Sequence, residues 1–459
     1  MQSQISAPPL KGWSFRHCLS IVGHLSLKTT LKQAPFPAGV ANANWFNFFN
    51  AISFQIFLGP PVILYAKSLG ASATMLGIIA SLAPLLTVFQ IPAAHLLQRF
   101  GYRRFILAGW GTRNLCVFAV VAVPLLGFLS NGWKLALLIG FQFVFNLLRG
   151  IASGAWLPWL TEILPEEIRT RFLSRDQRFS QTGSLLALLF CGLVFQKESA
   201  PWEFSMAFLL SAIGGAVSLL FLNRVPDVQR VDALKQSGMR VPWREILTYP
   251  PFAKLVAFNL LLSFTYGSLP VFTVTFLKGR AGLGENQVLF LMAVSFIAGV
   301  GSLDWAGRLL GAFGSKRLLF WALSLYLVFI AVWVMLASRL LLPRLLPLLA
   351  IFIAAGVASS ALNLANVRLV MGVMPEMGRS HFFAFYSVIT SLSFGISPIL
   401  WGVCLDALNA VQVRVGPSGC FEWNRYSIYF TTLLALTLAL FLSANGLDEK
   451  QPRAAKPDL

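Results

Sequence analysis

The sequence predicts an all-α membrane protein with twelve transmembrane helices in two pseudo-symmetric six-helix bundles. Three observations carry that expectation. Of 459 residues, 57% are hydrophobic and 12% are charged, about half the charged share of a soluble domain, roughly 25%. The apolar residues gather in twelve blocks, each long enough for a bilayer core of roughly 30 Å, which takes about 20 helical residues. The second half of the chain also repeats marks of the first at a fixed offset.

In chain order the blocks span residues 44–66, 74–97, 105–128, 135–158, 179–196 and 203–223, then 252–276, 287–307, 318–338, 343–366, 382–405 and 427–445. Hydrocarbon offers no water to the backbone, so all twelve are expected to be helices. The polar stretch from Arg224 to Pro250 is the longest between blocks and parts two sets of six. The expected organisation is a basic tail at 1–41, a bundle at 42–224, a cytoplasmic linker at 225–250, a second bundle at 251–446 and a tail at 447–459. The first tail holds Lys11, Arg16, Lys28 and Lys32 and no acid. It reads as cytosolic, with a transit segment as the alternative.

Charge placement sets the orientation. With both termini inside, the tails and inner loops hold most of the 36 Lys and Arg residues, the positive-inside pattern. The net charge of +19 is therefore a topology signal and a contact with the headgroups of the lipid bilayer, and nucleic acid is not an expected partner. Cys18, Cys116, Cys191, Cys404 and Cys420 form no Cys-x-x-Cys and have no His pair nearby, so no metal, redox centre or cofactor is expected. Cys404 and Cys420 both lie near the outer face, as a disulfide or as two thiols. No phosphate-binding G-x-x-x-x-G-K-[ST] occurs, and no nucleophile motif suggests an enzyme.

The repeats are specific. LPEEIRTRF contains Pro165, Glu166, Arg169 and Phe172, and MPEMGRSHF contains Pro375, Glu376, Arg379 and Phe382, each 210 positions on (375 minus 165). Gly192 and Gly402 keep that offset. Phe100, Gly101, Arg103 and Arg104 recur as Phe313, Gly314, Lys316 and Arg317, 213 positions on (313 minus 100). An internally duplicated helical membrane protein is most often a secondary transporter, with its site between the halves.

The motifs themselves resemble those of the major facilitator superfamily over roughly residues 42–446. That family has a loop between helices 2 and 3 of the form G-x-x-x-D-R-x-G-R-R. Here AHLLQRFGYRR keeps Arg99 and Gly101, followed by Arg103 and Arg104, with Gln98 in the acid's place. The second copy, GRLLGAFGSKR, keeps Gly314, Lys316 and Arg317, with Gly311 in that place. Both acids are missing, so the charge relay attributed to the motif is not expected. The glycines permit a sharp turn, and the basic groups suit helix carbonyl ends or lipid phosphates. WLPWLTEILPEEIRTRFLSR resembles the loop after helix 4 in a bacterial branch of mostly unassigned substrate. Its copy at 375 suggests paired inner-face clasps through Arg169 and Arg379, against two ordinary capped turns.

Ionisable groups inside membrane helices are costly and default to functional candidates. Arg149 is the strongest, between Lys134 and Glu162. Gln142, Asn146, Arg149 and Ser153 share one helical face. The resemblance implies that helices 1, 4, 7 and 10 line the pathway and that an arginine in helix 4 serves proton coupling or anion binding. Further candidates are Asn47, Asn50 and Gln55 in helix 1, Asn259, Ser263 and Tyr266 in helix 7, and Asn363 and Asn366 in helix 10. Glu162 is the first acid of the chain. Glu162, Asp304 and Asp406 lie toward helix ends, and Asp304 has Arg308 four residues on as an expected partner. A central arginine without an acid favours an anionic solute.

The expected function is alternating-access transport of a small solute by a monomer with no cofactor. The membrane is a bacterial plasma membrane, or a plastid membrane as the alternative. A non-transporting scaffold or assembly factor is the competing reading. The unusual outer segment Val411–Asn424 would suit a partner in that case.

Overall fold

The computed structural model describes residues 36–37, 39–93, 100–164, 166–227, 249–373, 379–415 and 421–447. The chain divides into Met1–Pro37, whose described residues form no helix or strand, and Ala38–Leu459. Lipid-compatible hydropathy makes the second unit a run of long helices. The first bundle holds α1 (Ala41–Ser68), α2 (Ala73–Ala93), α3 (Tyr102–Leu125) and α4 (Asn131–Ser153), then α5 (Glu166–Val194) and α6 (Pro201–Leu222). A short helix, Trp156–Ile163, extends the course of α4. The second bundle holds α7 (Pro250–Gly279), α8 (Glu285–Phe313), α9 (Ser315–Ala337), α10 (Leu345–Val373), α11 (Arg379–Ala407) and α12 (Arg425–Ser443).

Eleven of these are long and apolar enough to cross a membrane. The exception is α5, which starts at Glu166 rather than near 179 as predicted. Its first turns carry Arg169, Arg171, Arg175, Asp176 and Arg178, so a hydropathy reading finds only its apolar second half. Between α11 and α12 the chain forms a hairpin, β1 (Gln412–Val415) antiparallel to β2 (Phe421–Asn424). The all-α expectation missed it, because four-residue strands have no hydropathy signature against long apolar helices.

The duplication appears as repeated geometry. Helix α1 breaks before Pro60 and α7 before Pro270, again 210 apart (270 minus 60). Proline lacks the N–H that would continue the ladder, which accounts for both breaks. Gly101 and Gly314 open α3 and α9 with φ of 72° and 84°, a region that costs residues with a Cβ. In each half a glycine lets two helices meet at backbone distance: a Cβ on Gly150 of α4 would overlap the Leu86 carbonyl of α2, and one on Gly356 of α10 the Ser295 carbonyl of α8. Small residues at such crossings are the usual membrane solution, since dispersion and packing replace the missing hydrophobic drive.

The halves meet along α2 with α11 and α5 with α8. The repeated glycines sit at these crossings: Gly192 of α5 faces the Phe290 ring of α8, and Gly402 of α11 faces the Ala73–Thr74 backbone of α2. Asp406 accepts from the Ala73 and Thr74 N–H groups at 2.9 and 2.8 Å and from the Thr74 hydroxyl at 2.7 Å. A carboxylate there caps the first turn of α2 from the other bundle. Lys278 donates to the Lys197 carbonyl at 2.8 Å, and the Glu285 and Asn286 N–H groups reach Lys197 and Gln196. These hydrogen bonds between the halves lie at the end that the loop charges predict to be outside. The halves are in contact at this end.

Two outcomes check this arrangement. A cysteine replacing Lys197 should react with an impermeant maleimide from the outer face, whereas one replacing Arg104 should react only after permeabilisation. Gly150→Leu and Gly356→Leu should each lower the thermal midpoint in detergent by several degrees, because overpacking costs about 1–3 kcal/mol. Equal stability of either variant would mean that these crossings are looser than described.

Candidate solute site

Hydrogen bonds on one face of α4 run as a continuous series. Gln142 donates to the Phe57 carbonyl at the break of α1, Asn146 donates to Gln142 Oε1 at 3.2 Å, and Arg149 Nε donates to Asn146 Oδ1 at 3.3 Å. Arg149 Nη2 then reaches the Ala83 carbonyl at 2.5 Å and Thr87 Oγ1 at 3.1 Å on α2. Gln142 and Asn146 are fully buried, so these two tie α4 to α1 rather than line a wet surface. Ser153 bonds back to Gly150 of its own helix. Arg149 is hydrogen-bonded on neutral acceptors, and among the described residues no carboxylate pairs with it.

A second arginine lies in the same bundle. Arg113 of α3 is 4% exposed and donates from Nη2 to Asn50 Oδ1 of α1 at 2.7 Å. Its guanidinium lies 4.8 Å from the Phe54 and Trp110 rings and 5.3 Å from Phe145. Each ring contributes about 0.5–2 kcal/mol, depending on desolvation. Nη1 is buried with no hydrogen-bond partner. The first bundle thus holds two arginines within its membrane span, Arg113 buried and Arg149 half-buried. Arg113 falls within the predicted block 105–128 but is not among the candidates that spacing and depth select. Its aromatic neighbours at 54, 110 and 145 come from three helices, and no local spacing announces them.

In the second bundle Asn259 of α7 accepts from Asn366 of α10 at 2.7 Å and from the Tyr386 hydroxyl of α11 at 2.9 Å. Tyr266 points away from this cluster, donating to Thr437 of α12 at 3.3 Å and packing on the Tyr326 ring. It belongs to the interior of the second bundle, because α7 has turned by its next helical position. Gln55 and Ser263 are half-buried. Asn363 is exposed. Asn44 and Asn47 of α1 both donate to the Asp176 carboxylate of α5. Asp176 escaped the sequence reading because α5 was started too late. Tyr386 stands 210 positions after Asp176 (386 minus 176), so equivalent sites of α5 and α11 each hold the first helix of their half.

The loop motifs bind within their own halves. Arg103 donates to the Asn223 carbonyl and to Asn223 Oδ1, the latter at 2.8 Å, at the end of α6. Lys316 donates to the Asn445 and Leu447 carbonyls at 2.6 and 3.1 Å, beyond the end of α12. Each basic group answers the orphan carbonyls and negative dipole end of a helix. Arg104 and Arg317 are exposed. Arg99, Pro165, Pro375 and Glu376 lie outside the described residues. Glu166, Arg169 and Arg379 lie in the first turns of α5 and α11, but their side chains are outside the description, so the clasp expectation stays open. Asp304 and Arg308 are both exposed, and the ion pair expected between them is absent. On exposed faces such a pair is worth only a few tenths of a kcal/mol. Cys404 is a free, exposed thiol, and Cys420 lies outside the described residues.

Comparison with known proteins agrees with the helix order. A family described as Major Facilitator Superfamily matches residues 44–342. No curated protein matches by sequence. Among solved structures, a nucleoside transporter NupG mutant superposes with a TM-score of 0.68 at 12% identity, covering 90% of this chain and 100% of that one. The E. coli xylose transporter XylE, in an inward-open conformation, gives 0.64 at 15% identity over 90% and 97%. A bacterial homologue of the human lysosomal transporter Spinster, inward-facing, gives 0.60 at 16% over 90% and 98%.

The motif contacts make a checkable distinction. Arg103→Met and Lys316→Met should each destabilise the folded protein by about 1–3 kcal/mol, the cost of leaving charge-assisted acceptors unpaired. Transport per folded molecule should stay near wild type, since neither contact crosses between the halves. Detergent melting curves beside vesicle transport measure both. Lost transport at unchanged stability would give the motif a direct part in opening.

Proposed function

The chain belongs to the Major Facilitator Superfamily, a family of solute transporters working by alternating access, and on that premise we propose that its solute is a small anion. The single observation behind this reading is a pair of guanidiniums inside the first bundle, Arg113 buried and Arg149 half-buried. Among the described residues neither has a carboxylate as a hydrogen-bond or ion-pair partner. Hydrogen bonds to neutral acceptors satisfy donor geometry but leave net charge. An isolated charge in a bilayer interior costs roughly 2.5–3.5 kcal/mol on insertion scales. A solute carboxylate or phosphate recovers that cost on binding, while the unpartnered Arg113 Nη1 offers it a donor.

In this reading Arg149 and Arg113 hold the anionic group. Asn50, which already orients Arg113, positions that arginine, and Gln142 and Asn146 stiffen α4 behind Arg149. Gln55 on α1 and Ser263 on α7 are the half-buried groups left to meet the rest of the solute from opposite bundles. Asn259 joins them through the α10–α11 cluster. Both halves contribute from one chain, which supports a monomer as the working unit. The prokaryotic origin printed for two of the similar structures supports a bacterial plasma membrane as its place. The link 225–250 separates the bundles on the cytoplasmic side, and 1–41 and 447–459 are tails there.

Uptake into vesicles tests the proposal. Anionic solutes should compete for transport and their neutral amides or alcohols should not. Arg149→Lys and Arg113→Lys keep charge but lose the planar fork, and each should weaken solute binding about a hundredfold, the effect of about 3 kcal/mol. Folded protein should remain in detergent for the lysine variants. Full transport by Arg113→Lys would confine the site to Arg149. Competition by neutral solutes alone would overturn the anion reading.

A further inference from the structure

A cavity of about 270 Å³ opens at the outer face, lined by Lys67, Arg280 and Arg425 with Asn409, Gln412 and Asn424. None of the predicted solute residues lines it. Its charges are unbalanced. Glu422 accepts from Arg280 and faces Arg339 Nε at 3.2 Å, so its one charge is shared by two arginines. Asp406, the other acid close by, is taken up by the N–H groups and hydroxyl at the start of α2. Arg425 donates to Asn409 Oδ1 at 2.5 Å and lies 5.1 Å from the Tyr426 ring, both neutral partners. The Lys67 ammonium makes no hydrogen bond or ion pair among the described residues, and it stands within electrostatic reach of both Arg425 and Asp406.

We propose that this cavity is a binding site for a phosphate group, free or carried on a phospholipid head, and that its occupancy holds the outer side closed. Lys67 ends the outer segment of α1 in the first half, whereas Arg280 and Arg425 belong to the second. The three cations converge only while the outer ends of the halves are together. Empty, the site has like charges facing one another across the interface. Occupied, the same charges converge on one oxyanion, and the arginines present planar forks suited to its oxygens. A volume several times the roughly 30 Å³ share of one water admits a tetrahedral oxyanion. A ligand biases an equilibrium only through contacts it makes in one state, and contacts from both halves meet that condition. This site does not depend on what the transported solute is.

The test uses full-length protein in lipid-free detergent at constant ionic strength. Inorganic phosphate should raise the thermal midpoint where an equal charge of chloride does not, and Lys67→Gln and Arg425→Gln should each abolish the rise. Lys67→Gln should also melt higher than wild type without phosphate, because it removes the repulsion, and Arg344→Gln, an outer cation away from the cavity, should respond as wild type does. A cysteine replacing Asn286, half-buried where α8 meets the other half, in a background with the native cysteines changed to serine, reads closure. Phosphate should slow its labelling about fivefold or more, and Lys67→Gln should remove that slowing. Phosphate-free micelles doped with phosphatidylglycerol form the second arm. A Lys67-dependent effect there, with none from inorganic phosphate, assigns the lipid head as the source. Responses to both probes that persist in Lys67→Gln and Arg425→Gln, or no response to either, would overturn the proposal.

Discussion

Inside a bilayer a polar group has no water to fall back on, and that constraint shapes most of what this chain does with its side chains. Serines and threonines bond back to carbonyls of their own helices, as Ser81, Thr87 and Thr390 do. Asparagines, glutamines and arginines reach further and tie helices together. The α4 series from Gln142 to Arg149 is the clearest case, closing on carbonyls of α1 and α2. The same rule brings Arg103 and Lys316 to the carbonyl ends of α6 and α12. Groups left over after this accounting, such as Arg113 Nη1, stand out for that reason.

Packing obeys a second form of the constraint. Lipid tails are as apolar as leucine, so helices associate through close backbone approach and interhelical hydrogen bonds. Gly150 and Gly356 give each half an equivalent tight crossing. These crossings lie within bundles and fix their interiors. Between bundles a similar crossing occurs, since a Cβ on Gly77 of α2 would overlap the Pro398 carbonyl of α11, and polar contacts join it: a carboxylate capping a helix and a lysine on a carbonyl.

The charge economy divides along the same line. Acids at the outer end serve as caps and ion-pair centres, Asp406 for α2 and Glu422 for Arg280 and Arg339. In the first bundle Asp176 is held by two asparagines of α1. Cations therefore outnumber acids both in that bundle and at the outer cavity. The outer excess lies across the bundle interface, whereas the inner excess lies within one bundle. The two are separate features of the molecule.

Hydropathy and the repeated motifs determined the class, the run of long helices and the internal duplication, because each is a property of composition or of a fixed offset along the chain. The turn at Gly101 and Gly314 was legible for the same reason: a positive φ selects glycine locally. The start of α5 was not, since charged turns projecting beyond the apolar block have no hydropathy signal, and Asp176 was lost with it. Arg149 was found from its depth in α4, but the neutral acceptors around it come from α2. Arg113 needed three rings from three helices and an asparagine from α1 to become a site. The outer cavity joins residues from 67 to 426. Only tertiary packing brings such groups together, since each contributes one charge or one donor and the convergence exists nowhere in the order of the chain.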